Sequence, residues 1–366
     1  MGWPLRILHV VVNMNRGGAE TLIMNLYRNI DRNKVQFDFL TCKEGVFDKE
    51  ILELGGTVHR IPYITDVGHT EYIKSLDTFF ASHREYKIVH SHMDKMSGFV
   101  LRSAKKVGIP VRIAHSHNTS SEGGIAARAY KWYAGKYILP SATHLLACSN
   151  AASQWLFAGE TDTVTILKNG IEPENFSFSP KIRKQIREEL NLTVDNFVVG
   201  HVGRFAHQKN HAFLIEVFAQ LIKLRRDAVL VLVGDGPLRV NIEQKVEELN
   251  LGDHVKFLGI RSDINHLLQA FDVFAFPSIH EGLPVTLIEA QGAGLSCVIS
   301  DAITKEVDMG AGLVNFESIN TSPEIWAQNI LNINKRTQDV EGYIKQKGYD
   351  ISESATWLEN FYLQAL

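Results

Sequence analysis

The sequence predicts an α/β protein of two doubly wound domains, on three observations. Short, β-branched and almost uninterrupted apolar runs recur through both halves, and segments with helical spacing separate most of them. One polar stretch with two prolines, EPENFSFSPKIRKQ at residues 172 to 185, breaks that rhythm between the halves. Near-continuous apolar strands argue for parallel sheets with helices on both faces, because such strands are buried on both sides. A length of 366 residues exceeds one usual domain and suffices for two sizeable cores. The division expected is 1–175 and 176–351, with a terminal helix at 352–366.

The elements follow in chain order. Strands are expected in LRILHVVV, VQFDFLT, TVHRIP, KIVHSH, PVRIAHSH, HLLACS and VTILKNGI of the first half. The helix from Ala19 to Ile30 places Leu22, Ile23, Leu26 and Ile30 on one face. The polar stretch at 172 to 185 then reads as a linker. In the second half, FVVGHVG, AVLVLVG, HVKFLG, VFAFPS, SCVISD and AGLVNF read as strands, with helices over Ala212 to Leu224 and Leu238 to Leu249. The closing SESATWLENFYLQAL opens on cap-type serines and carries an apolar stripe through Trp357, Leu358, Phe361 and Leu366, so it reads as a helix that must dock on something apolar.

Composition narrows the function. Apolar residues make up 45% and charged residues 22%, as in ordinary globular proteins, which excludes a disordered or fibrous chain. Thirty-eight basic against 41 acidic side chains leave a net charge of −3, so no overall basic field exists to hold a nucleic-acid backbone. Cys42, Cys148 and Cys297 lie far apart and form no C-x-x-C pair, which argues against a disulfide framework or a thiolate zinc site and fits a reducing compartment. The opening MGWPLRILHVVVNMN lacks the layout of a signal peptide, and no run reaches the ~20 apolar residues of a membrane span. A cytoplasmic protein is expected.

Ligands of doubly wound sheets bind beyond the carboxyl ends of the strands, so the residues there are the ones to weigh. Gly17 and Gly18 precede the first helix, where a backbone without Cβ atoms and the unpaired helix amides suit an anion; a tight turn explains them equally well. In FVVGHVGRFAHQKN the strand ends at Gly203 and the following loop offers Arg204 and Lys209, a fork and a point charge suited to a diphosphate. The segment PSIHEGLPVTLIEAQGAG carries Glu281 and Glu289 eight positions apart. Between them, Gly282, Leu283 and Pro284 bring a helix start to the strand end, directing amides at phosphate oxygens. Glu289, inside that helix, suits the two hydroxyls of a ribose, and Glu281, on the loop, is free to contact a sugar ring. His90 and His92, and His115 and His117, pair at strand ends; with Asp94 the only nearby acid, hydrogen-bonded histidines outweigh a metal site. No D-x-D occurs to hold a divalent ion on a diphosphate, so cations must come from the protein. A helix over residues 127 to 140 interleaves Arg128, Lys131 and Lys136 with Tyr130, Trp132, Tyr133 and Tyr137; it suits an anionic membrane face or an acceptor as well as half-buried packing with snorkelling lysines.

In order along nearly the whole chain, RGGAE, AHSHN, ACSNAA, LKNGIEPENF, GRFAHQKN, LVGDGP and HEGLPVTLIEAQGAG resemble the retaining nucleotide-sugar glycosyltransferases of the GT-B fold, family four, of the kind that builds capsule or exopolysaccharide. The resemblance implies two Rossmann-like domains facing each other across a cleft, the first on the acceptor side and the second binding the donor, with the last helix returning to the first. It implies that Glu281 touches the donor sugar and Glu289 the ribose, and that Arg204 and Lys209 bind the diphosphate from the loop begun by Gly203. It places His117, before Asn118, beside the transferred sugar, and Gly17 and Gly18 beside the phosphates. It implies a hexose or N-acetylhexosamine moved from a nucleotide sugar, a UDP-sugar first among them, to a saccharide or polyprenyl-linked acceptor, with retention and without metal or other cofactor. Peripheral contact at the inner face of the plasma membrane through 127–140 is a further expectation. Asn210, Glu172 and Ser296 depart from residues usual in the family, and none of them removes a charge that the chemistry needs. Two other readings stay open, a nucleotide-sugar epimerase of the same fold and a non-catalytic nucleotide-sugar-binding subunit.

Overall fold

A computed structural model describes residues 3–121, 123–333, 336–337 and 339–366. The chain divides into two units, Met1–Gly170 with Asp350–Leu366, and Ile171–Tyr349.

The first unit holds seven strands: β1 (Leu5–Val10), β2 (Val35–Thr41), β3 (Val58–Arg60), β4 (Ile88–Ser91), β5 (Val111–Ser116), β6 (His144–Ala147) and β7 (Val164–Ile166). All pair in parallel, in the order β3-β2-β1-β4-β5-β6-β7. The order reverses between β1 and β4, which opens a crevice at their carboxyl ends. The helix Gly18–Asn29 buries Leu22, Ile23, Leu26 and Tyr27 in the core. Helix Ile351–Gln364 packs in the same unit, where Ile351, Ala355, Leu358 and Tyr362 join the cluster around Phe37 and Ile88. Its Glu359 accepts from Lys34 Nζ at 2.9 Å and from the backbone N–H of Asp31 at 3.1 Å.

The second unit holds β8 (Phe197–Val202), β9 (Ala228–Val233), β10 (Val255–Phe257), β11 (Val273–Phe276), β12 (Ser296–Ser300) and β13 (Val314–Glu317). These are parallel too, in the order β10-β9-β8-β11-β12-β13, with the reversal between β8 and β11. Both units are therefore Rossmann-like.

Two sequence expectations need correction. Residues 172 to 185 are no bare linker. Pro173 and Pro180 each occupy the first turn of a helix, Pro173–Phe176 and Pro180–Glu189, where a missing N–H costs nothing. Gln269 fastens the stretch to its unit by donating to the Phe176 carbonyl at 3.0 Å and accepting from the Ser179 N–H at 3.1 Å. Residues 127 to 140 are not one helix but Ile125–Gly135 and Ile138–Ser141. Pro140 has no N–H to give to the carbonyl of Lys136, so the first helix cannot run on through it.

Candidate functional site

In the second unit, the two loops that leave the sheet on either side of its reversal carry Arg204, Lys209 and Glu281. The first loop is shaped by glycines. A Cβ on Gly203 would stand 3.0 Å from His201 Nε2 and 3.2 Å from Lys209 Cδ, so its absence lets the Lys209 stem lie over the turn. Beneath it, Gly234, at φ +131°, brings its backbone so close to the Gly203 carbonyl that any Cβ would collide. Gly236 sits as tightly on Phe205, and the loops are tied by Phe205 N–H to Asp235 O at 3.0 Å and Leu238 N–H to Phe205 O at 3.0 Å. Asn210, where the family usually has glycine, takes a left-handed φ of +55°, a conformation asparagine tolerates better than most residues.

Lys209 Nζ donates to Glu281 Oε1 at 2.6 Å and stands 4.6 Å from the centroid of the Phe276 ring. Glu281 is 8% exposed, which corrects its reading as a free loop carboxylate. Arg204 is exposed and makes no side-chain hydrogen bond or ion pair among the described residues. One cation is thus held and the other is open. Gly282, Leu283 and Pro284 are buried ahead of the helix Val285–Gly292, and Pro284 is its extended cap residue. Proline has no N–H, which removes Pro284 from the expected set of phosphate-binding amides. Glu289 lies within that helix, and desolvation pushes its carboxyl up to about 7.

The first unit gathers a different set at its reversal. Gly17 is the extended residue ahead of the first helix and Gly18 opens that helix, exposed. The Glu20 carboxylate folds back to cover the position a Cβ would take on Gly17, and burial, with Asp94 adding repulsion, raises it to about 7. The helix start expected to meet a phosphate therefore already faces a carboxyl group. Asn118 donates to Asp94 Oδ2 at 2.6 Å beside His117.

His117 stands just past β5, 8% exposed, and its Nε2 lies 2.9 Å from His92 Nδ1. His92 Nε2 in turn lies 3.0 Å from Nδ1 of His9, a residue that the sequence hides inside an apolar strand. His90 bridges Tyr362 at 2.6 Å and His115 at 3.1 Å. Desolvation lowers all five rings, His9 and His117 to about 3 and the others well below the ordinary value, so they are neutral imidazoles. All four histidines expected at strand ends are thus hydrogen-bonded. Glu20 lies in RGGAE and Gly234 and Gly236 in LVGDGP, yet neither they nor His9 stand out from the sequence as site residues. The one signal for His9 was a polar letter in a strand buried on both faces.

Residues 17–170 match the family described as glycosyl transferase 4-like domain, and residues 182–309 match glycosyl transferases group 1. The chain is 40% identical over 368 residues to "Putative glycosyltransferase EpsF" of Bacillus subtilis, covering 98% of this chain and 96% of that protein. It is 28% identical over 313 residues to an Escherichia coli UDP-Gal:alpha-D-GlcNAc-diphosphoundecaprenol alpha-1,3-galactosyltransferase, covering 81% and 79%. The crystal structure of Anabaena HepE in complex with UDP and glucose superposes with a TM-score of 0.76 at 21% identity, covering 98% of this chain and 95% of HepE, which shows a shared fold.

Proposed function

This chain belongs to the GT-B glycosyltransferases of capsule and exopolysaccharide biosynthesis, and from that premise we propose that it is a retaining hexosyltransferase using a nucleotide sugar. Its donor is a UDP-linked hexose or N-acetylhexosamine, its acceptor a saccharide or lipid-linked saccharide, and it needs no metal ion. The observation that carries this reading is the meeting of Lys209 and Glu281 at 2.6 Å, from the loops that flank the reversal of the second sheet, with Arg204 open on the same loop. UDP and glucose in HepE, and UDP-Gal and a diphosphoundecaprenol in the name of the E. coli relative, support the donor and acceptor classes.

The chemistry follows from charge. Breaking the anomeric bond leaves negative charge on the diphosphate, and Arg204, open, and Lys209, held by Glu281, are two cations for it. Glu289 receives the ribose hydroxyls, Glu281 and His117 contact the sugar, and Gly17 and Gly18 approach the phosphates once the Glu20 carboxyl turns away from Gly17. The acceptor oxygen forms its bond on the face from which the diphosphate departs, and its proton passes to a diphosphate oxygen, so no side chain serves as nucleophile. Protein cations in the role of a divalent ion, in a sequence with no D-x-D, support independence from metal. Peripheral contact with an anionic membrane through 127–140 is part of the proposal. The helix Ile125–Gly135 and the residues after it expose Ile125, Trp132, Tyr133 and Leu139, and the Lys136 ammonium stands 3.7 Å over the Trp132 ring.

The experiment is thermal shift against nucleotide diphosphates and nucleotide sugars in EDTA, followed by transfer to candidate acceptors with the product anomer read by NMR. Binding to the native state raises the midpoint. A shift with uridine nucleotides that survives EDTA, and a product of unchanged anomeric configuration, are expected. A shift abolished by EDTA overturns metal independence, an inverted product overturns retention, and product from donor alone moves the reading to an epimerase.

A further inference from the structure

The five buried histidines of the first unit form two separate rows, and only one of them reaches His117. His9 pairs in register with His90, and Ser91 with Ala114, so each step from His9 to His92 to His117 crosses one strand and climbs two residues toward the carboxyl ends. The contacts are His9 Nδ1 to His92 Nε2 at 3.0 Å and His92 Nδ1 to His117 Nε2 at 2.9 Å. The parallel row runs from Tyr362 through His90 to His115.

A neutral imidazole carries one N–H and one bare nitrogen. Three neutral rings in line therefore hold three protons for two internal bonds, and the line has two consistent orders. Either every ring is protonated on Nδ1, and His117 presents an N–H at its outer end, or every ring is protonated on Nε2, and His9 presents one at the inner end. Neither outer nitrogen, His117 Nδ1 or His9 Nε2, has a hydrogen-bond partner among the described residues. The inner end is walled by Phe37 and Phe39, with ring centroids 4.2 and 5.6 Å from that of His9. Either order leaves one N–H without an acceptor, and the cost is greater at His9, 1% exposed between two phenylalanine rings, than at His117, 8% exposed beyond the carboxyl end of β5, so the order with a bare His9 Nε2 wins.

We propose that His9 and His92 are positioning residues that lock His117 in the Nδ1–H tautomer, so that His117 donates a hydrogen bond to a substrate hydroxyl oxygen. The substrate half of this statement rests on the reading of His117 as a sugar contact; the tautomer half does not. The two histidine triplets, His9 with His90 and His92, and His92 with His115 and His117, also bring ring nitrogens within 4.8 Å, as a metal would need. Yet the nitrogens that approach most closely already face one another as donor and acceptor, and each donor carries a proton where a metal needs a lone pair.

The test uses the full chain labelled with ¹⁵N-histidine at neutral pH. In the wild type, ¹⁵N–¹⁵N couplings across the two hydrogen bonds should link His9 to His92 and His92 to His117, with Nδ1 protonated in all three rings. Free neutral imidazoles favour Nε2–H, so the readout is sharp. Missing couplings, or an Nε2–H on His117, overturn the proposal without any variant having to fold. In His9→Phe, two hydrogen bonds away, His117 should lose its single tautomer, and kcat should fall on the order of tenfold with donor KM unchanged. Tyr362→Phe, which cuts the other row, should leave the His117 resonances in place. A His117 tautomer indifferent to His9→Phe, or moved equally by Tyr362→Phe, overturns the lock. If no donor and acceptor give turnover, the transferase reading fails while the couplings still decide the tautomer.

Discussion

Lys209 Nζ and Glu281 Oε1 are 2.6 Å apart, with the Lys209 side chain 16% and the Glu281 side chain 8% exposed, so a cation offered to a diphosphate is already engaged by a carboxylate of its own unit. Its other near neighbour is the face of Phe276, which attracts a cation only weakly.

A diphosphate arriving at this loop therefore competes with Glu281 for Lys209. In Glu281→Gln the lysine keeps its charge and loses its ionic partner, so UDP should bind more tightly, on the order of tenfold, while sugar transfer falls. Lys209→Ala should lose transfer by about two to three orders of magnitude. Calorimetry with UDP checks the first and initial rates the second. Weaker UDP binding by Glu281→Gln would show that the pair does not compete with the ligand.

Glu289 gives a pH dependence with a definite sign. Desolvation raises its carboxyl from 4.5 to about 7 in the fold, so the folded state holds the proton more tightly than the unfolded chain. That stabilises the fold at low pH, and the contribution is lost as pH rises from 4.5 to about 7. Glu289→Gln should thus gain stability relative to the wild type across that rise. Ribose hydroxyls donate to the ionised form, so donor affinity should climb between pH 6 and 8, by up to about tenfold per unit at the acidic end, and the glutamine variant should flatten the curve. Equal slopes for the two proteins would remove Glu289 from the donor site.

The histidines act in the opposite direction. Their folded values are depressed below 6.5, so burying them neutral costs nothing above that pH, and stability is lost as pH falls through it because unfolded rings take up protons. The first unit holds the five buried rings, with His59 and His144 lowered as well by partial burial, and the second has His201 and His211, lowered to about 4 and about 2. Each ring contributes a slope of up to about 1.4 kcal/mol per pH unit below its unfolded value. The carboxyls of Glu20 and Glu289 oppose this with one proton in each unit. Between pH 6.5 and 5 the first unit should therefore lose stability faster, and hydrogen exchange should show protection falling sooner in β1, β4 and β5 than in β8 and β11. Parallel loss in the two sheets would contradict the buried neutral rings.

Much of this was legible because parallel strands write themselves as apolar runs: AVLVLVG reads as β9 without any partner being known. The loops after β8 and β11 were legible as loops, and their charges as candidates. That Lys209 closes on Glu281, 72 positions away, depends on a side-chain rotamer and on β8 lying next to β11, and neither is written locally. The row from His9 to His117 was hidden for the same reason, since it exists only once β1, β4 and β5 are neighbours. The misread linker and helix share another cause. Proline marks a helix start and a helix stop with one letter, and only tertiary contacts such as Gln269 with Phe176 decide which applies.

Gly234 carries the last prediction, because it is where the backbone of one loop seats another. Its φ of +131° is closed to residues with a Cβ, and a methyl group there would meet the Gly203 carbonyl head on. Gly234→Ala must therefore strain the turn or push Gly203 and Arg204 outward, at about 2 to 4 kcal/mol of stability. Gly252, with open space around its Cβ position and no such φ, serves as the control, and Gly252→Ala should change stability by less than about 0.5 kcal/mol. Nucleotide binding by the fraction of Gly234→Ala that folds should weaken with the displaced loop, and the histidine resonances of the first unit should not move. Thermal melts with and without UDP check both variants, and a Gly234→Ala protein that melts and binds like the wild type would mean that the loop does not depend on this seat.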